Sequence, residues 1–220
     1  MTSTSALLNK PLRQRVAPLL REAGFQRVDA RNAWWWRDDF ICVFNIRSVG
    51  SYFSGVTGWP PGSVCVWLGV FFTSAPQPSG MKRDEQGRLC PQEHWCHMRS
   101  QLARGLDQSA RIRTLNNPAE RQRTDVWWVD PDGSNADEVA RDIAATVVMQ
   151  GLPWFMEASN PLTALAMVDA MHDSFTKFTK AALLAKRIGD LALWRTYDER
   201  AESEARRIGQ TLDRETWTGI

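Results

Sequence analysis

Four side chains able to ligate a metal or move a proton, Cys90, His94, Cys96 and His97, fall within eight residues. Zinc is the ion such a set suggests. It takes four ligands converging tetrahedrally, usually from two separated pairs, and the sequence has no second pair of the CxxC or HxxxH kind. Read as a strand over 93–101, the segment also alternates its side chains, with His94 and Cys96 on one face and His97 on the other. The expectation is no metal site and no cofactor. Asp169, His172, Asp173 and Ser174 include the residue types of a catalytic triad, but read as one helix they form a solvated face on which adjacent residues point apart. The spacings GxSxG, HExxH and GxGxxG do not occur, nor does GxxxxGK followed by Ser or Thr, so the sequence leans away from an enzyme.

Residues suited to binding are more plentiful. Between Gly50 and Gly62 lie four glycines, Pro60 and Pro61, with Tyr52, Phe53 and Trp59 among them. A flexible loop carrying aromatics fills a core poorly and builds a contact surface well. Tyr52, Phe53 and Trp59 are therefore read as an exposed binding surface, with Arg99 as its polar rim. An alternative groups Trp59 with His94, His97 and Arg99 as the walls of a cleft in a small-ligand-binding protein or an enzyme. From Arg99 to Arg123 there are six arginines against Asp107 and Glu120. They offer contacts for phosphates but lack interleaved aromatics, which ranks nucleic acid below a protein partner.

These residues need a scaffold, and the hydrophobic pattern supplies one. Leu12, Val16, Leu19 and Leu20 predict an N-terminal helix capped by Asn9 and stopped at Gly24, after a frayed start. Ala33–Arg37 and Phe40–Val49 predict a hairpin around Asp38-Asp39, and Ser63–Phe72 a buried strand. A long connection over 73–91, with Pro76 and Pro78, leads to strands over 93–101 and 124–129. Asp130-Pro131-Asp132-Gly133 predicts a turn, and Ser134 with Asp137 a capping box for a helix carrying Val139, Ile143 and Val147. The runs Trp34–Trp36 and Trp127-Trp128 must place indoles on both sides of their strands. Asn160-Pro161 starts a further helix striped by Met167, Met171, Phe175, Phe178 and Ala182. A second stripe, Trp194, Tyr197, Ala201, Ile208 and Leu212, follows Gly189-Asp190. The expected architecture is α+β: a mostly antiparallel sheet of about five strands flanked by helices over 1–160, and a C-terminal helical hairpin over 161–220 packed on it.

Composition bounds the rest. The 220 residues are 43% hydrophobic and 24% charged, with 27 basic and 25 acidic side chains, a net charge of +2, and 11 tryptophans against 2 tyrosines. Such a chain can build a core and is neither a basic nucleic-acid binder nor an acidic tail. No apolar run approaches the roughly 20 residues that span a bilayer, and residues 1–15 lack the apolar block of a signal peptide. With only four cysteines, two of them in apolar runs, a reducing cytoplasm is expected.

The stretches LLREAGF (Leu19–Phe25), WWRDD (Trp35–Asp39), CHMR (Cys96–Arg99) and DVWWV (Asp125–Val129) resemble a family of bacterial domains of unknown function, over about residues 12–150. In that family a helix ending in GF precedes strands, a CHxR-like strand and a late tryptophan strand. The resemblance implies the fold class and assigns no catalytic residues. The expected function is a non-enzymatic protein-binding module, of the kind found among immunity proteins and other components of bacterial conflict systems.

Overall fold

The computed structural model describes residues 4–75, 77 and 80–212. Residues 1–3 of the expected frayed start, and Pro76 and Pro78 of the long connection, lie outside the described residues. The N-terminal segment is three short helices, α1 (Thr4–Leu7), α2 (Asn9–Arg15) and α3 (Ala17–Glu22). Leu12, Val16 and Leu20 are buried, as their spacing requires. The helix resets at Val16 because Pro18 has no N–H to return to the preceding turn. Asn9 does not cap: Leu8 stands at the cap, and Asn9 Oδ1 instead accepts from Arg31 Nε at 2.8 Å. Gly24, at φ 106°, ends α3, and the Phe25 N–H donates to the Leu20 carbonyl at 3.0 Å, as a left-handed helix stop requires.

The fold is α+β, an antiparallel sheet flanked by helices. Its strands are β1 (Arg27–Val28), β2 (Asn32–Trp36), β3 (Phe40–Ser48), β4 (Val64–Phe72), β5 (Met98–Gln101) and β6 (Val126–Trp127). They run in the order β1-β2-β3-β4-β5, and β6 also pairs with β4, Val64 facing Trp127 and Cys65 facing Val126. The residues expected as a loop over 50–62 contain a helix, α4 (Ser51–Thr57). The strand expected over 93–101 is shorter. Trp95 and Cys96 spend their N–H groups on the carbonyls of Gln92 and Glu93, giving a single 3₁₀ turn, and pairing with β4 begins only where His97 N–H meets the Val70 carbonyl at 3.0 Å.

The chain groups into two compact units, one of Met1–Trp35, Phe44–Leu68 and Ser100–Pro153, the other of Trp36–Val43, Gly69–Arg99 and Trp154–Ile220. The first holds α1 to α4, α5 (Ser109–Ile112), α6 (Pro118–Arg121) and α7 (Ala136–Thr146). Here α2 packs on α7, with Arg15 Nε 3.0 Å from Asp137 Oδ1. That ion pair takes the carboxylate expected for a capping box: Asn135 stands at the cap, but its side chain bonds the Asp130 N–H and the Trp128 carbonyl instead of the helix, and Ser134 Oγ donates to Asp130. Val139, Ile143 and Val147 are buried as their spacing predicts. One π turn (Val147–Gly151) joins α7 to α8 (Leu152–Ser159), and the Gln150 amide there bonds both backbone groups of Ala103.

In the second unit α9 (Pro161–Asp169), α10 (Phe175–Arg187) and α11 (Leu191–Arg207) pack in sequence, α10 against both neighbours. Asn160 Oδ1 caps α9 through the Leu162 and Thr163 N–H groups, with Pro161 in the first turn. The stripe read as one helix is broken at 170–174, where Ser174 accepts from the Lys177 N–H and opens α10. His172 and Asp173 therefore lie between two helices rather than on a helical face. Phe178 and Ala182 are buried, while Met171 is exposed. Gly189, at φ 79°, and the Asp190 cap of α11 make the turn between α10 and α11.

Candidate functional site

Among the residues expected to bind, Tyr52, Phe53 and Trp59 belong to the first unit and His94, His97 and Arg99 to the second. The first set is held on α4. The Gly50 carbonyl receives the Ser54 N–H, and Gly58, left-handed at φ 84°, closes the helix on the Ser54 carbonyl. Thr57 Oγ1 donates to the Phe53 carbonyl and accepts from the Trp59 N–H, which turns Trp59 inward.

Trp59 is a core residue, contrary to its expected exposure. It has no accessible surface and clusters with Val49, Ile112, Leu115 and Val126, packing against Trp128 at 5.9 Å between ring centroids. Its indole N–H donates to Glu120 Oε2 at 2.7 Å, so the one polar atom of the ring is satisfied as burial requires. Glu120 lies 3.4 Å from Arg123, which makes a two-point contact with Asp125 at 2.9 and 2.6 Å and lies over the Phe53 ring at 5.5 Å. Phe53 is thereby pinned beneath a guanidinium, half-buried. Tyr52 and Val56, four residues apart on the opposite side of α4, are 84% and 66% exposed.

The arginine segment is largely consumed by the fold. Arg104 donates to the carbonyls of Arg123 and Val126, Arg111 pairs with Asp130, and Arg121 donates to the Leu115 carbonyl. In the second unit Arg99 Nε donates to the buried Glu93 at 2.6 Å. Arg113 stands exposed. Indoles recur in the same lattice: Trp127 donates to Asp142 and Trp128 to Asp130, each at under 3 Å.

The second set lies around β5. His94 is half-buried, its ring edge-on to Trp95 at 5.1 Å, and Arg99 is exposed. His97 is buried between Phe71 (4.7 Å) and Phe72 (5.8 Å), and its Nδ1 accepts the Phe72 N–H at 3.0 Å. Burial, with Lys180 and Arg187 nearby, pushes its pKa down to about 3. The Cys96 thiol is raised well above its usual range by burial and by Glu93. Among the described residues no three His, Cys, Asp or Glu side chains come together as metal ligands would. Sequence reasoning missed Lys180 and Arg187, whose spacing of seven places them on one face of α10 beside the apolar stripe. It also missed Asp130, two residues from Trp128, and Glu120 and Asp142, whose pairings with Trp59 and Trp127 depend on segments brought together by the fold.

No family model, curated protein or solved structure matches the chain. No described helix is long and apolar enough to cross a membrane.

Proposed function

We propose that this chain is a non-catalytic binding protein that meets a protein partner through α4. The observation that carries the reading is the pair Tyr52 and Val56, exposed one turn apart on a helix whose other side is fixed by Phe53, Thr57 and the buried Trp59. An aromatic anchor already fixed to a rigid base loses little conformational freedom on binding, which is how a few residues come to dominate an interface. The surface is thus smaller than an exposed loop with three aromatics, and Trp59 supports it from below.

Two observations favour a protein over the alternatives. The arginines from Arg99 to Arg123 are mostly spent on internal acceptors, which leaves few of them to neutralise phosphates as nucleic acid demands. His97 is held neutral with a pKa near 3, far from the operating range of a general acid or base. A cytoplasmic immunity protein or another component of a bacterial conflict system is the class that accords with this reading and with the resemblance to bacterial domains of unknown function.

The test is capture from a bacterial lysate with wild type and with Tyr52→Glu/Val56→Glu, both checked by thermal unfolding. A protein retained by wild type and lost from the double variant at unchanged Tm is the expected result. An identical captured set would remove α4 as the contact.

A further inference from the structure

The charges around α4 are one-sided. From Phe44 to Leu68, the stretch of the first unit that carries α4 with parts of β3 and β4, the only charged residue is Arg47. The charge beside the helix comes instead from the segment 108–123, which has no acid before Glu120. Leu115 brings that segment to α4. Its Cδ2 lies 3.3 Å from where a Cβ on Gly58 would stand, at the C-terminal end of the helix, and with Ile112 it joins the Trp59 cluster against which Phe53 packs. Arg121 Nε donates to the Leu115 carbonyl at 2.7 Å, and Arg113 precedes Leu115 by two residues, at most about 7 Å of backbone. Both arginines are exposed.

The acids of this region are already spent. Glu120 accepts from the Trp59 indole at 2.7 Å and lies 3.4 Å from Arg123, Asp125 pairs with Arg123 at 2.6 Å, and Asp130 pairs with Arg111 at 2.9 Å. Asp107 accepts the Ser109 N–H at 2.9 Å and is held below its usual range by that bond and then by Arg113 and Arg104, so two cations answer one acid. Neither Arg113 nor Arg121 forms an ion pair among the described residues. The exposed Tyr52 and Val56 therefore stand on a surface whose uncommitted charge is positive. An aromatic and an aliphatic side chain supply contact area, while charge of one sign selects the partner and speeds its approach. Two spare guanidiniums and one exposed ring are too few to track a nucleic-acid backbone.

Resting on the α4 contact proposed above, we infer that the partner presents an acidic protein face: one of its apolar side chains meets Tyr52 and Val56, and carboxylates flanking that side chain meet Arg113 and Arg121. Exposed ion pairs add little affinity each, so the arginines act mainly by choosing among partners.

Random peptides displayed on phage and selected on the full-length chain are the probe. The enriched peptides should combine apolar residues with Asp and Glu. They should no longer bind Tyr52→Ser/Val56→Ser, a neutral change that reports contact rather than charge, at unchanged Tm. Their affinity should fall about fivefold in Arg113→Glu/Arg121→Glu, with part of that loss in Arg113→Glu alone, which leaves the hydrogen bond to Leu115 in place. Enriched peptides without an excess of acid that still need Tyr52 and Val56 would overturn the acidic partner and keep α4 as the contact. Peptides indifferent to Tyr52 and Val56 would remove α4 itself, and this inference with it, as would the absence of any enriched peptide. Displacement of acidic peptides by a single-stranded oligonucleotide of equal charge would assign the two arginines to phosphates instead.

Discussion

His97 shows how one residue can set the acid limit of a protein. In the unfolded chain its imidazole takes a proton near pH 6.5, whereas in the fold, sandwiched by Phe71 and Phe72 and opposed by Lys180 and Arg187, it does so only near 3. Between those values the unfolded state binds more protons, so stability falls as pH falls, by up to about 1.4 kcal/mol per pH unit. Asp125 and Asp130 are held by Arg123 and Arg111 below the usual carboxylate range. Their contribution is present above pH ~3.9 and lost only below it. The window from pH 4.5 to 6.5 therefore isolates the histidine. Urea unfolding of wild type across that window should show the slope, and His97→Gln should flatten it. A wild-type curve already flat above pH 4.5 would mean that His97 is protonated in the folded state.

At the scale of elements, a single glycine governs how the entry to β5 meets β4. A Cβ built on Gly69 would lie 2.5 Å from Cys96 Sγ and 2.7 Å from Cys96 Cβ, closer than real atoms approach. The missing side chain lets the 3₁₀ turn at Glu93–Trp95 bring Cys96 down onto the strand, from which His97 starts its pairing with Val70. Because both clashing atoms lie at the root of a buried side chain, rotation cannot relieve the overlap. Gly69→Ala is expected to destabilise by about 1–3 kcal/mol, the usual range for overpacking, measured as a lower urea midpoint at unchanged m-value. Gly55→Ala serves as the control, since nothing lies within 4 Å of its added carbon and it sits within a helix. Equal effects of the two substitutions would show that the Gly69 notch is not needed.

Across the whole molecule the four cysteines are free thiols. Burial raises Cys42 to about 12 and Cys65 to about 11, and lifts Cys96 well above its ordinary value. Thiolate is the reactive form, so none of these three should react with a disulfide reagent at pH 8 at the rate of an unfolded thiol, and guanidinium should release all four. A native thiol reacting at the unfolded rate would show an opening the fold does not display. The α+β class, the turn at Gly133, the cap at Asn160 and the α10–α11 turn were legible in sequence, because each rests on local rules: alternation, helical period, a side-chain cap, a glycine at positive φ. Trp59, α4 and the break at 170–174 were not. Gly50 to Gly62 has the composition of a loop, yet seven of its residues are helical because Phe53, Thr57 and Trp59 have a core to anchor them. Likewise six arginines close in sequence look like a charged surface until Glu93, Asp125 and Asp130 pair with three of them and backbone carbonyls take Arg104 and Arg121. Periodicity fixes which residues want burial. Which polar groups remain free to bind is decided only when distant segments meet, because a donor or a charge is spent or spared by what the fold places beside it.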